Sequence, residues 1–227
     1  MDRLETIIEL AKKYNSIADI GCDHGQVGLV LVKNKLVNKM ISADISLKCL
    51  NKSKDLFKIN GLVDYYDGRV GDGLAPINDA EVETVIIAGM GGDLVCNIVR
   101  ANEAKTKSFK NFIIQPMTNP DVVRKCFYEL GYGVKKDLMV VEGDKYYFLI
   151  EFSRENERKA ESDWYYTSTL LRDGGEKYAN FIEHSIEENA NIMEIIAKNG
   201  KEKSKKKIDA LKIKNKKLEK ILGDIKC

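Results

Sequence analysis

Apolar residues recur at three- and four-residue spacing through positions 3–15 (Leu4, Ile7, Ile8, Leu10 and Ala11), the period of a helix with one buried face. The pattern then switches back and forth. Short apolar runs at 17–21, 40–45, 63–70, 82–88 and 111–115 read as strands, the last ended by Pro116. Between and after them, 25–36, 47–59, 92–104 and 121–130 read as helices, with Asn60-Gly61 and Gly131 as stops. Segments 133–141 and 146–152 read as an antiparallel strand pair joined at Glu142-Gly143-Asp144.

Strand–helix alternation of this kind predicts an α/β domain whose mainly parallel sheet carries helices on both faces. The continuous apolar runs Val85-Ile86-Ile87 and Phe112-Ile113-Ile114 fit strands buried on both sides. A nicotinamide-binding domain would more usually continue the parallel alternation, so the closing strand pair argues against one. Beyond residue 155 the strand signal stops. Residues 162–172 read as a helix broken at Asp173-Gly174-Gly175. An apolar stripe then runs through Ala179, Ile182, Ile186, Met193 and Ile196, and a second through Ile208, Leu211, Leu218 and Leu222. Asn189 sits in the first and Asn215 in the second, where a polar residue can fix register. A turn at Lys198-Asn199-Gly200 makes the two a coiled-coil α-helical hairpin. The expected division is a domain over 1–154 and a helical extension over 155–227.

Charge changes the picture of the second part. The net charge of +2 hides an imbalance: residues 201–227 carry eleven Lys against four acids, whereas 153–200 carry six bases against ten acids. The last helix suits an anionic partner, or is a solvated Lys-rich face. The five cysteines form no C-x-x-C pair and there are two His, so no metal site is expected. Scattered cysteines, an amphipathic start without an apolar signal region, and no apolar run near the roughly 20 residues of a bilayer span predict a cytoplasmic protein with no membrane partner.

The candidate chemistry sits in loops after the strands. Asp19-Ile20-Gly21-Cys22-Asp23-His24-Gly25 runs from a strand through a glycine turn into a helix, which surrounds a small ligand with backbone N–H groups. Acids at Asp19 and Asp23 would repel a pyrophosphate and suit a cationic sulfonium or an amino group. Asp19, Gly21, Cys22, Asp23, His24 and Gly25 are therefore candidate cofactor contacts. Asp44, followed by Ile45, ends the second strand about 20 residues after the glycine loop, where an acid accepts ribose hydroxyls; the alternative is a helix cap. Gly71-Asp72-Gly73 follows the third strand and can accept an adenine amino group, or is a simple turn. Ala88-Gly89-Met90-Gly91-Gly92-Asp93 follows the fourth, with Met90 as a wall against a flat ligand and Asp93 as a substrate contact or an N-terminal helix charge. Gln115 and Asn119, in Gln115-Pro116-Met117-Thr118-Asn119-Pro120, lie at the same rim and can read a base edge, or Asn119 caps the next helix.

The segments DIGCDHG, ADIS, GDGL, VIIAGMGG and IIQP, in this order, resemble the bacterial tRNA (adenine-22-N1)-methyltransferases over the whole chain. The resemblance implies a Rossmann-like class I methyltransferase domain with a seven-stranded sheet and a C-terminal coiled-coil extension. It also implies S-adenosylmethionine as cofactor and tRNA as partner. Asp19, Gly21, Asp23, His24, Asp44, Asp72, Gly73, Gly89 and Met90 would then lie in the donor pocket. The chain differs from the family pattern in having Gly25-Gln26-Val27-Gly28 after Asp23-His24, where many members carry a Tyr within a few residues, and Met117 after the Gln-Pro pair, where some members carry Asn. His24 and Asp93 are the candidate catalytic residues, as proton acceptor and as a carboxylate beside the ring that becomes cationic; a His24 that orients Asp23 is the alternative. Lys203, Lys206, Lys207, Lys214 and Lys217 are the candidate phosphate contacts. The chain is expected to act as a monomer. A methyltransferase of a small molecule or protein, and an RNA-binding module with a retained donor pocket, stay open as alternatives.

Overall fold

The computed structural model describes residues 1–155, 175–198 and 202–226. Its contacts fall into two compact units, Met1–Ala160 and Glu161–Cys227.

The first unit opens with α1 (Arg3–Ala11), its start fixed by a capping box of Asp2 and Glu5 and its end four residues short of the expected position 15. It then runs β1 (Ser16–Ile20), α2 (Gln26–Lys33), β2 (Lys39–Asp44), α3 (Leu47–Ile59), β3 (Asp67–Val70), β4 (Thr84–Gly91), α4 (Gly92–Ala101), α5 (Glu103–Ser108), β5 (Asn111–Thr118), α6 (Pro120–Glu129), β6 (Gly133–Glu142) and β7 (Lys145–Ser153).

Three expectations are corrected. The strand expected at 63–70 is a 3-10 turn at Val63–Tyr65 followed by the short β3. Tyr66 turns back there, its ring 5.1 Å from Phe57 and its hydroxyl donating to the Leu50 carbonyl. The single helix expected at 92–104 is two, because Asn102 leaves helical geometry (φ −147°, ψ 90°) and its side chain accepts the Lys105 N–H, capping a second helix. The fifth strand does not end at Pro116 but continues to Thr118. Pro116 faces Met90, where the β4–β5 register shifts, and such irregular pairings are where a strand tolerates a residue without an N–H.

The seven strands form one mixed sheet in the order β3-β2-β1-β4-β5-β7-β6. The β1–β2, β2–β3, β1–β4 and β4–β5 pairs are parallel. The β5–β7 and β6–β7 pairs are antiparallel. Chain order departs in opposite directions from β1 and from β4, so right-handed crossovers put α2 and α3 on one face and α4 on the other. Under the first face lie Ile7, Leu10, Ile17, Leu31, Met40, Ile86 and Ile113, all buried. On the other side Phe112, Phe127 and Tyr132 make mutual edge contacts, and Phe127 stacks on Phe152 at 4.2 Å. The crevice that such a reversal opens at the carboxyl ends of β1 and β4 is where open α/β sheets hold ligands.

In the second unit, α7 (Gly175–Lys198) and α8 (Glu202–Lys226) pair. The Nδ2 of Asn189 donates to Oδ1 of Asn215 at 2.7 Å, and Asn215 Nδ2 donates to the Ile186 carbonyl. Ile225 lines a small cavity with Ala179, so the helices run antiparallel. Ile221 is buried at the position assigned to Leu222 by spacing, while Leu222 is half-buried. The helix expected at 162–172, its break at 173–174 and the turn residues 199–200 lie outside the described residues.

Candidate functional site

The first loop is shaped by backbone conformations that only certain residues tolerate. Gly21 has φ +72°, and a Cβ there would stand 2.1 Å from the methyl of Met90. Asp23 is left-handed at φ 46°, a conformation Asp reaches more readily than most residues. Gly25 is also left-handed, and a Cβ would collide with Ser53 of α3; its lack of a side chain serves helix packing.

Asp44 ties this loop to the next. Its Oδ1 accepts the Ser46 N–H at 2.8 Å and its Oδ2 accepts the Asp23 N–H at 3.2 Å. Its backbone carbonyl accepts from Gly71, joining the third loop as well. Ser46, rather than Asp44, caps α3. Each carboxylate oxygen keeps a further lone pair for a ligand hydroxyl. Ile45 is 71% exposed beside it.

A cavity of about 600 Å³ opens beneath the loop. Its walls include Asp19, Gly21, Cys22, Asp23, His24, Ala88, Gly89 and Gln115 from the strand ends, all candidates from sequence. Asp19 is buried, and among the described residues nothing hydrogen-bonds its carboxylate. Burial, reinforced by the charge of Asp44, pushes its pKa up to about 7. Burial and the same two carboxylates push the Cys22 thiol up to about 12, so this cysteine is no nucleophile. His24 stands 3.5 Å from Asp23, both largely exposed.

Gln115 is 2% exposed. Its Oε1 accepts the Gly89 N–H at 3.1 Å and its Nε2 donates to the Pro116 carbonyl, so it holds the β4 loop in place. The second catalytic candidate is elsewhere: Asp93 is not among the residues lining this cavity and instead accepts from Asn119 Nδ2 at 3.0 Å. Asn119 occupies the N-cap of α6 in a left-handed conformation (φ 51°) without capping it through its side chain. Gly92 makes this junction possible, because a Cβ there would lie 2.4 Å from the Thr118 carbonyl oxygen. Asp72 and Gly73 line a second cavity of about 570 Å³ with Leu74, Leu94, Ile98 and Lys105. Lys105 Nζ reaches the Leu74, Ala75 and Ile77 carbonyls and fastens that loop.

The main cavity has a wall that sequence reasoning missed: Asp2, Arg3, Leu4 and Ile7 of the first helix region, Gln26 and Val27, and Glu142 at the end of β6. Arg3 and Glu142 are 139 residues apart, and one sequence carries no local signal for such a contact. Of the lysine candidates on α8, Lys206 and Lys207 are exposed, whereas Lys214 and Lys217 are half-buried beside the stripe; the side chain of Lys203 lies outside the described residues. Lys205, Lys212, Lys216 and Lys220, spaced 7, 4 and 4, form an exposed stripe that the sequence reading did not select. Among the described residues no group of three or more His, Cys, Asp or Glu is arranged to hold a metal ion, and no helix is long and apolar enough to cross a membrane.

The chain is similar to known proteins in sequence and fold. The chain is 30% identical over 145 residues to the tRNA (adenine(22)-N(1))-methyltransferase of Bacillus subtilis, a stretch that covers 64% of this chain and 61% of that relative. It thus spans about three fifths of the length of the curated relative it matches. The crystal structure of the B. subtilis M1A22 tRNA methyltransferase TrmK superposes with a TM-score of 0.83 at 24% identity, covering 97% of both chains. M. capricolum TrmK in complex with S-adenosyl-homocysteine gives a TM-score of 0.83 at 22% identity, covering 99% of this chain and 98% of that one. Residues 1–150 match the family described as methyltransferase domain, and the chain belongs to that family.

Proposed function

We propose that this protein transfers the methyl group of S-adenosylmethionine to N1 of an adenine in tRNA, adenine 22. The observation that carries the reading is the buried Asp19, a carboxylate without a hydrogen-bond partner among the described residues, in a cavity also lined by Asp23, whose N–H is tied to Asp44. A cation fits there. Both the amino group and the sulfonium of the donor are cationic, and the spare lone pairs of Asp44 suit ribose hydroxyls. Asp72 is exposed on the third loop and lines the second cavity, and in this reading it accepts from the adenine amino group. A Cβ at Gly21 would stand 2.1 Å from the Met90 methyl, so glycine lets this loop lie against Met90. The activity of the B. subtilis relative supplies the substrate and the position.

The bound donor supplies an activated methyl carbon, and the remaining task of the chain is to place the acceptor in line with it. N1 lies on the Watson–Crick edge, so the target base leaves its stack to enter the cavity. Methylation makes the ring cationic, and Asp23, paired with His24 at the cavity wall, puts negative charge beside it. His24 is positioned to orient Asp23 or to accept a proton. Asp93, held by Asn119 outside this cavity, acts on the approach of the RNA.

The domain boundary follows the end of the sheet at about residue 154, and the helical pair is an antiparallel coiled-coil hairpin whose lysines follow tRNA phosphates. The protein acts as a monomer in the cytoplasm. The test is methyl transfer from labelled S-adenosylmethionine to an unmodified tRNA transcript, with nucleoside mass spectrometry. The expected product is 1-methyladenosine, lost when adenine 22 is replaced. Donor binding without incorporation into any tRNA would overturn the substrate while leaving the cofactor.

A further inference from the structure

We propose that the guanidinium of Arg3, laid on the ring of Tyr147, is the platform on which the extruded target base stacks. The proposal rests on the reading of the chain as a methyltransferase of an RNA base.

Arg3 is fixed on several sides. Its backbone N–H donates to Glu142 Oε1 and its Nε donates to Glu142 Oε2, both at 2.8 Å. One face of the guanidinium lies over the Tyr147 ring, 4.0 Å from its centroid. Nη1 lies 3.8 Å from the Met117 sulfur. Long side chains normally lose considerable rotamer freedom when a ligand orders them. Here the folded protein has already ordered this one, and it lines the cavity.

Geometry decides what the wall recognises. An arginine that binds phosphate presents its N–H edge as a fork. In Arg3 the Nε edge is already occupied by Glu142. Tyr147 is 8% exposed and covers one face, while the Arg3 side chain remains 35% exposed and lines the cavity with Asp19 and Gly89. Beside the N–H groups at its Nη end, Arg3 offers a ligand the guanidinium face turned away from Tyr147. Guanidinium planes and aromatic rings are the surfaces on which unstacked RNA bases are held.

Charge agrees with this assignment. A base methylated at N1 becomes cationic, and an isolated arginine beside it would oppose the reaction. Glu142 neutralises Arg3 at a carboxylate distance of 2.8 Å, so the platform presents a delocalised plane with little net charge. Asp19 and Asp23 face the same space.

Two variants test the platform against a merely structural role. Arg3→Lys keeps the positive charge and the partner Glu142 but removes the plane. Tyr147→Leu keeps Arg3 and removes the ring beneath it. With saturating donor, each is expected to lower kcat/KM for the tRNA transcript about tenfold, the scale of one base–platform stack, while the dissociation constant for S-adenosylmethionine stays at the wild-type value. A transcript with 2-aminopurine at position 22 reads stacking directly: its fluorescence on binding wild type is quenched relative to that on binding Arg3→Lys. Should Arg3→Lys fail to fold, Tyr147→Leu decides on the same readouts. Unchanged kcat/KM and unchanged fluorescence in a folded variant overturn the proposal. So does a loss of donor affinity equal to the loss of turnover, which makes Arg3 a strut for α1. A wild-type chain that binds the donor and methylates no RNA brings down the functional reading itself, and the platform with it.

Discussion

The Asp23 N–H donates to Oδ2 of Asp44 at 3.2 Å, so the carboxylate placed to receive ribose also closes the glycine loop. Two roles then depend on one side chain. Asp44→Asn puts an amide N–H against one of two backbone donors that now share the carboxylate, Asp23 and Ser46. Donor affinity is expected to fall about tenfold to a hundredfold, since a hydrogen bond to a charged group is worth about 1.5–3 kcal/mol. Calorimetric titration with S-adenosylmethionine measures it. Wild-type affinity in this variant would remove Asp44 from the donor site.

Asp19 makes donor binding depend on pH. Its carboxyl, raised from 3.8 to about 7, holds its proton more tightly folded than unfolded. The sign follows: the ligand-free protein loses stability as pH rises from about 4 to about 7, and changes no further on this account above that. Donor binding runs the other way, because only the ionised carboxylate attracts a cation. Affinity should strengthen from about pH 6 to about pH 8, with proton release on binding at the lower end. Asp19→Asn should flatten both dependences and bind the donor weakly throughout. A donor affinity constant across that range in wild type would show that Asp19 does not meet the cation.

Gly21→Ala faces two separate obstacles, a left-handed φ of +72° and the Met90 methyl 2.1 Å from the new Cβ. The backbone part costs about 1–2 kcal/mol and nothing relieves it. The steric part is relieved by shortening Met90. Gly21→Ala alone should therefore lower the thermal midpoint and donor affinity, and adding Met90→Ala should recover part of the loss. Non-additivity in that double-mutant cycle measures the contact. Strict additivity would mean that the two residues do not touch.

Much of this was legible because the decisive signals are local. A glycine between two acids after a strand, an acid at the end of the next strand and Gly-Asp-Gly after the third define loops that the sheet then gathers at one edge. The strand and helix alternation likewise depends only on period. What was hidden is long-range or conformational. Arg3 and Glu142 meet because α1 packs over the sheet beside β7, and no periodicity encodes that meeting. Asp93 is open in sequence between a substrate contact and an N-terminal helix charge, and its partner is Asn119 across the α4–α6 junction. Asn102 read as a helix interior residue, although its side chain stops one helix and caps another.

The Arg124 side chain on α6 is 1% exposed and pairs with Asp137 Oδ2 at 2.7 Å. Its carbon lies 5.1 Å from the Phe148 ring centroid. The pair fastens α6 to β6. Arg124→Met leaves a buried carboxylate without its main partner and should destabilise by about 3–5 kcal/mol. Urea unfolding measures this. The double variant Arg124→Met, Asp137→Leu removes both charges and should regain much of the loss. A single variant as stable as wild type would show that the pair contributes nothing net.

The stripe of Lys205, Lys212, Lys216 and Lys220 predicts how RNA binding responds to salt. Positions spaced 7, 4 and 4 along a helix share one face, rising about 1.5 Å per residue, and the stripe follows about four turns of α8. Phosphates are neutralised one by one along such a face, and each neutralised phosphate releases condensed counterions. Replacing all four lysines by Gln should weaken tRNA binding and reduce the slope of log affinity against log salt by up to about 3–4. Donor affinity should not change, since none of these residues lines the donor cavity. Replacing the half-buried Lys214 and Lys217 should reduce the slope less, because they flank the buried Asn215 and Leu218. Equal effects from the two sets would place the RNA on a different face of the helix. No effect from either would leave the lysines as a solvated surface and the helical pair as a protein-contact or structural element.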